Sequence, residues 1–210
     1  SCVVTDVHTG KVLSLVTYPG YDNNRINNVD YFAQVNSDLS GPLRNNATTT
    51  LKAPGSTFKP ITAIAGLEEK TINLSDIIVC DGVYKEISIP LKCTGHHGPL
   101  NVVGGIANAC IVFFGELDHR LSTYAAGNYR PEQGLEILKK YASMFGLDHT
   151  SGIEIFESEP QISDMDPERS AMGQGTNSYS NVQLSRYVAA IANRGTVFDL
   201  SLLDKMTDSE

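Results

Sequence analysis

Apolar positions recur along the chain with two periods. Val3 to Val7 and Val12 to Val16 are short runs rich in β-branched residues, separated by His8-Thr9-Gly10, and they predict two strands joined by a turn. From residue 21 to residue 50 Asn, Asp, Ser and Thr crowd the chain, which predicts irregular structure. The period then changes to that of a helix. Phe58, Ile61, Ile64, Ala65 and Leu67 form one stripe, predicting a helix that opens at Ser56 and runs to about Glu69. Asn101 is placed to cap a second helix, with Val102, Ile106, Cys110, Phe113, Phe114 and Leu117 on one side. Tyr124 to Pro131 reads as a loop. Leu135, Leu138, Tyr141, Ala142 and Phe145 mark a third helix, stopped by Gly146. Gly173-Gln174-Gly175 is a turn, and Val182, Leu184, Tyr187, Val188 and Ile191 mark a fourth helix ending near Gly195. Thr196 to Leu203 reads as a closing strand.

The chemistry concentrates in Lys52-Ala53-Pro54-Gly55-Ser56-Thr57-Phe58-Lys59-Pro60. A Pro-Gly turn enters the first helix directly, so Ser56 stands at its mouth and Lys59 lies one turn on. Residues three apart on a helix share a face, which brings the ammonium toward the hydroxyl. A serine is a weak nucleophile until a base takes its proton. A lysine serves as that base where burial lowers its pKa. The same residues have a bland reading, with Ser56 as a helix N-cap and Lys59 as a solvated first-turn residue.

The wider text resembles the transpeptidase domain of class B penicillin-binding proteins. Val3 to Val16 is similar to that domain's first hairpin, and Tyr18-Pro19-Gly20-Tyr21-Asp22-Asn23-Asn24 to a segment that follows it. Pro42-Leu43-Arg44-Asn45-Asn46-Ala47-Thr48-Thr49 leads into the serine motif as it does in the family. His97-Gly98-Pro99-Leu100 and Ser170-Ala171-Met172-Gly173-Gln174-Gly175 are further landmarks. The resemblance implies a penicillin-binding protein transpeptidase or β-lactamase-like α/β (α+β) fold, an antiparallel sheet flanked by helices. It implies a D,D-transpeptidase acting through an acyl-enzyme on Ser56, with Lys59 as base. The implied partners are peptidoglycan stem peptides, β-lactam antibiotics and other cell-wall synthesis proteins, at the extracytoplasmic face of a bacterial membrane. Residues 1–210 would form the N-terminal and central part of one such domain, without membrane anchor or pedestal. A β-lactam sensor, a β-lactamase and a non-catalytic scaffold relative share enough of the pattern to stand as alternatives.

Two departures stand out. The family's second motif, Ser-x-Asn, falls on Ala109-Cys110-Ile111. The family serine would relay a proton from the lysine to the leaving amine, and the asparagine amide would bind lysine and substrate. Alanine and isoleucine do neither. The third motif, Lys-Thr-Gly or Lys-Ser-Gly, does not occur. Lys92-Cys93-Thr94-Gly95 carries one residue too many and precedes the second motif, so it reads as a decoy. In the family the third motif would follow the point where this chain stops, Glu210. A poorly active or inactive chain is expected.

Composition narrows the partners further. The chain carries 24 acidic against 16 basic residues, a net charge of −8, which argues against nucleic acid and anionic membrane. No two of the four cysteines, Cys2, Cys80, Cys93 and Cys110, are spaced C-x-x-C, and none of the five histidines pairs with a ligand at a recognised spacing. No metal and no cofactor are therefore expected. Cys110 reads as a core residue, and Cys80 and Cys93 as either a disulfide or two thiols. Glu68-Glu69 and Glu157-x-Glu159 read as solvated acids.

Overall fold

The computed structural model describes residues 1–123 and 127–207. In chain order its elements are β1 (Cys2–Thr5), β2 (Val12–Val16), α1 (Val29–Ser37), α2 (Asn46–Thr49), a 3-10 turn (Gly55–Phe58), α3 (Lys59–Glu68), β3 (Ile78–Cys80), β4 (Val83–Tyr84), β5 (Leu91–Lys92), β6 (Gly98–Leu100), α4 (Val102–Ala107), α5 (Ile111–Leu121), α6 (Pro131–Met144), α7 (Pro167–Ser170) and α8 (Asn181–Ala192). They fall into two units. One comprises residues 1–52, 145–160 and 179–210, the other 53–144 and 161–178.

In the first unit β1 and β2 pair antiparallel, Cys2 opposite Val16 and Val4 opposite Ser14, with a bulge between Val4 and Thr5. Val3, Val12 and Leu15 pack on buried Ile153, Val182 and Leu200. Helix α8 starts on a capping box, in which the Ser180 hydroxyl and the Gln183 side chain each satisfy the other residue's backbone N–H. Three expectations fail here. The polar stretch 21–50 contains α1 and α2, because Asn28 and Asn45 accept from backbone N–H groups two or three residues on and so cap helices. The expected strand over 196–203 is extended chain with a single bridge, Lys11 to Ser201. Side chains hold its first half, where Arg186 donates to the Phe198 carbonyl at 2.9 Å and to Asp199 at 2.6 Å and Asn193 donates to the Thr196 carbonyl at 2.8 Å, and scattered backbone bonds hold Leu200 and Ser201. Glu157 is also not solvated. It is buried, and Ser151 donates to it twice at 2.8 Å, from its backbone N–H and its hydroxyl.

In the second unit the apolar stripes of α3 and α5 meet in one core with Ile72, Ile78, Tyr84, Val102, Phe113, Phe114 and Leu117. Two small antiparallel pairs, β3 with β6 and β4 with β5, close one side. The helix expected from Asn101 to Leu117 is two helices. Helix α4 ends in a Schellman turn, Ala109 N–H to the Ile106 carbonyl and Cys110 N–H to the Gly105 carbonyl, both at 3.0 Å. Ala109 occupies the left-handed position of that turn at φ +45°. Glycine usually fills this position, and an alanine there carries no stop signal. Cys110 then starts α5 as its N-cap, its sulfur accepting from the Phe113 N–H. The loop expected over Tyr124–Pro131 lies partly outside the described residues, and Pro131 already belongs to α6.

Candidate active site

Ser56 lies in the 3-10 turn and Lys59 is the first residue of α3, the two set at i and i+3. Ser56 is not a cap: neither the turn nor α3 has a side-chain capping bond. Nor is Lys59 solvated. Its residue is 3% exposed, and Nζ donates to Ser56 Oγ at 2.8 Å and to the Ala109 carbonyl at 2.9 Å. Nζ also stands 5.7 Å from the centre of the Phe114 ring. Burial holds Lys59 below the ordinary lysine range, with Cys93 and Cys110 pulling weakly the other way.

The Ser56 turn is fastened from behind. Gly55 N–H donates to the Gly173 carbonyl at 2.9 Å, and the Thr62 hydroxyl donates to the Ala171 carbonyl at 2.7 Å. Gly173 stands at φ +72°, and a Cβ there would fall 2.1 Å from the Gly55 carbonyl oxygen, so only glycine fits. The Gly173-Gln174-Gly175 segment is thus a turn packed on the serine.

A cavity of about 270 Å³ opens over Ser56 and Lys59. Leu91, Lys92, Ile111, Arg169, Met172 and Gln174 complete its lining. Sequence reasoning set Lys92 aside as part of a decoy motif, noticed Gln174 only as part of a landmark turn, and passed over Arg169, which nothing in its local spacing marks. The three second-motif positions divide. Ala109 reaches the lysine through its carbonyl, Ile111 presents hydrocarbon to the cavity, and Cys110 turns inward, fully buried.

Beside this cavity, Cys80, Cys93, His97 and Cys110 place their Sγ and Nδ1 or Nε2 atoms within 4.8 Å of one another. All three cysteines are free thiols. The expectation of no metal ligand set rested on spacing along the chain. These four residues come from the end of β3, the end of β5, the start of β6 and the cap of α5, so no short motif could reveal them.

A further cluster lies between α5, α6 and α7. Asp118 is fully buried, and neither carboxyl oxygen has a hydrogen-bond partner among the described residues. Burial, then the nearby Glu168 carboxylate, push its pKa well up. Tyr129 donates to Glu168 at 2.6 Å and stacks on His119.

Residues 1–210 match the penicillin binding protein transpeptidase domain. The chain belongs to that family, in its class B branch. It is 30% identical over 163 residues to the peptidoglycan D,D-transpeptidase MrdA of Escherichia coli K12, covering 74% of this chain and 24% of MrdA. It is 30% identical over 207 residues to the stage V sporulation protein D of Bacillus subtilis 168, covering 93% of this chain and 29% of that protein. The chain therefore spans about a quarter of the length of these relatives. In three dimensions it superposes on Pseudomonas aeruginosa PBP2, solved in complex with WCK 5153, with a TM-score of 0.83 at 22% identity, over 99% of this chain and 51% of that one. The antiparallel pairs flanked by helices accord with the fold that the resemblance implied.

Proposed function

We propose that this chain carries the acylating half of a peptidoglycan D,D-transpeptidase, with Ser56 as nucleophile and Lys59 as its base. The observation that carries the reading is the 2.8 Å contact between Ser56 Oγ and a buried Lys59 Nζ. A desolvated lysine spends more of its time neutral, and a neutral amine accepts the hydroxyl proton. Ser56 Oγ then attacks the carbonyl between the two terminal D-alanines of a stem peptide, and the acyl-enzyme passes to an amine of a neighbouring strand. The Ser56 backbone N–H stands in the first turn, free to face the oxyanion. Lys92 and Arg169 give the cavity two cations suited to the peptide's terminal carboxylate. A β-lactam would acylate the same oxygen. The site would face the wall, outside the bacterial membrane, where other cell-wall synthesis proteins are its natural company.

Ala109 and Ile111 support a second reading, a relative that keeps the fold and serves as a binding subunit. Losing one preorganised polar contact costs about 3 kcal/mol of transition-state stabilisation, roughly a hundredfold in rate. Slow acylation is therefore expected. Intact mass after incubation with penicillin decides between the two. The first reading expects a single adduct that accumulates slowly and disappears in Ser56→Ala. No adduct at long times would favour the binding subunit, and an adduct that survives Ser56→Ala would remove this serine.

A further inference from the structure

We propose that a cleft in the first unit, lined by Thr17, Tyr21, Asn23, Arg44 and Asn45, binds a neutral glycan strand.

The cleft has a volume of about 330 Å³ and lies between the segment that follows β2 and the segment that leads into α2. Its walls are fixed before any ligand arrives. Asn45 Oδ1 accepts from the Ala47 N–H at 3.1 Å, as the cap of α2, and from the Thr17 hydroxyl at 3.2 Å, which ties one wall to the other. Arg44 is held along α2, its Nε donating to the Thr49 hydroxyl at 3.2 Å. The loop that carries Tyr21 and Asn23 is pinned in the same way. The Tyr31 hydroxyl accepts from the Asp22 N–H at 2.8 Å, and Asp22 Oδ1 accepts from the Asn24 N–H at 2.9 Å. The Arg25 guanidinium stacks on Tyr31, 4.2 Å from the ring centre. A site ordered in advance gives up less conformational freedom on binding.

The polar groups left over select the ligand. With its oxygen engaged twice, Asn45 has its amide hydrogens to give. Arg44 keeps N–H groups that Thr49 does not use, and the Thr17 oxygen can still accept. Exposed Asn23 brings both a donor and an acceptor. Tyr21 is 41% exposed and adds a hydroxyl and an aromatic face. Closely set donors and acceptors beside a ring suit a sugar, whose hydroxyl and acetamido groups pair at its edge while its C–H face packs on the ring.

Other ligand classes fit less well. None of the lining residues is acidic, so nothing in the cleft pairs with an amine or a metal cation. Arg44 is the only cation among the lining residues, and the chain carries a net charge of −8, which disfavours a polyanion. A lipid chain would leave the amides and the guanidinium unpaired. The identity of the strand rests on the reading of Ser56 and Lys59: a stem peptide is attached to a polysaccharide of N-acetylated sugars, and the cleft holds that polysaccharide. Glycan binding itself does not rest on it.

The probe is the neutral hexamer of N-acetylglucosamine, titrated into the 210-residue chain by calorimetry and by amide chemical shifts. Saturable binding is expected, with shifts centred on residues 17–23 and 44–45. Tyr21→Ala and Asn23→Ala should each weaken it roughly tenfold. Tyr18→Ala, which removes an exposed tyrosine outside the cleft lining, should not. Melting temperatures check that the variants fold. No saturation at millimolar hexamer, shifts centred elsewhere, or cleft variants that bind like the parent would overturn the proposal. So would inorganic polyphosphate binding the cleft more tightly than the hexamer. Penicillin labelling keeps the two readings apart. A chain that is labelled but does not bind the hexamer retains the transpeptidase reading and loses the glycan cleft. A chain that binds the hexamer without being labelled retains the cleft, in a binding subunit.

Discussion

At the scale of single residues, the pair Ser56 and Lys59 was legible because a helix makes i and i+3 neighbours whatever surrounds them. The burial of Lys59 was not legible, since it depends on Phe114 and the Ala109 turn, fifty residues away in sequence. That burial has a measurable sign. On the proposed mechanism the neutral amine is the base, and its fraction rises with pH. Burial moves the midpoint below the ordinary lysine value of 10.5. The rate of penicillin labelling should therefore climb with pH through one ionisation lying below 10.5. A flat or falling rate across that range would exclude Lys59 as the proton acceptor. Lys92 and Arg169 teach the opposite lesson to Ser56. Each is unremarkable among its sequence neighbours, and only the closing of β5 and α7 around one cavity gives it a place beside the serine.

At the scale of elements, the periodic stripes of α3, α5, α6 and α8 identified the helices. Their ends went wrong where side chains rather than glycines do the capping. The break between α4 and α5 is the clearest case. Its hydrogen bonds are those of a Schellman turn, yet the left-handed residue is Ala109. Alanine in that conformation costs roughly 1–2 kcal/mol, and glycine does not pay it. Ala109→Gly should therefore raise stability by about 1 kcal/mol, which shifts the melting temperature upward by about 2–4 °C at this size. The carbonyl that meets Lys59 is backbone and is kept, so helix content by circular dichroism should not change. A variant less stable than the parent would mean that the turn relaxes away from φ +45° in solution. The strand expected over 196–203 failed for a related reason. Alternating apolar residues announce an extended chain, but a ladder needs a partner strand. Here Arg186 and Asn193 take up the carbonyls that a neighbour would have paired.

At the scale of the whole molecule, the excess of acidic residues was plain from composition, but which acids govern stability was not. Two carboxylates act with opposite signs. Ser201 and the Leu202 N–H hold exposed Glu154 down at about 2, so its contribution is present above the ordinary value of 4.5 and is lost as pH falls toward 2. Asp118 is the reverse. Its buried carboxyl has no partner among the described residues, and its pKa is raised well above 3.8. Above pH 3.8 the unfolded chain releases this proton while the folded chain retains it, so folding is favoured less and less as pH rises through that window. The melting temperature should consequently fall from pH 5 toward neutrality more than the remaining surface carboxylates would allow. Asp118→Asn keeps the shape and removes the ionisation. Its melting temperature at neutral pH should exceed that of the parent, and the two curves should converge near pH 4. Parallel curves for parent and variant would show that Asp118 ionises in the folded chain as freely as in the unfolded one, and that an unseen partner satisfies it.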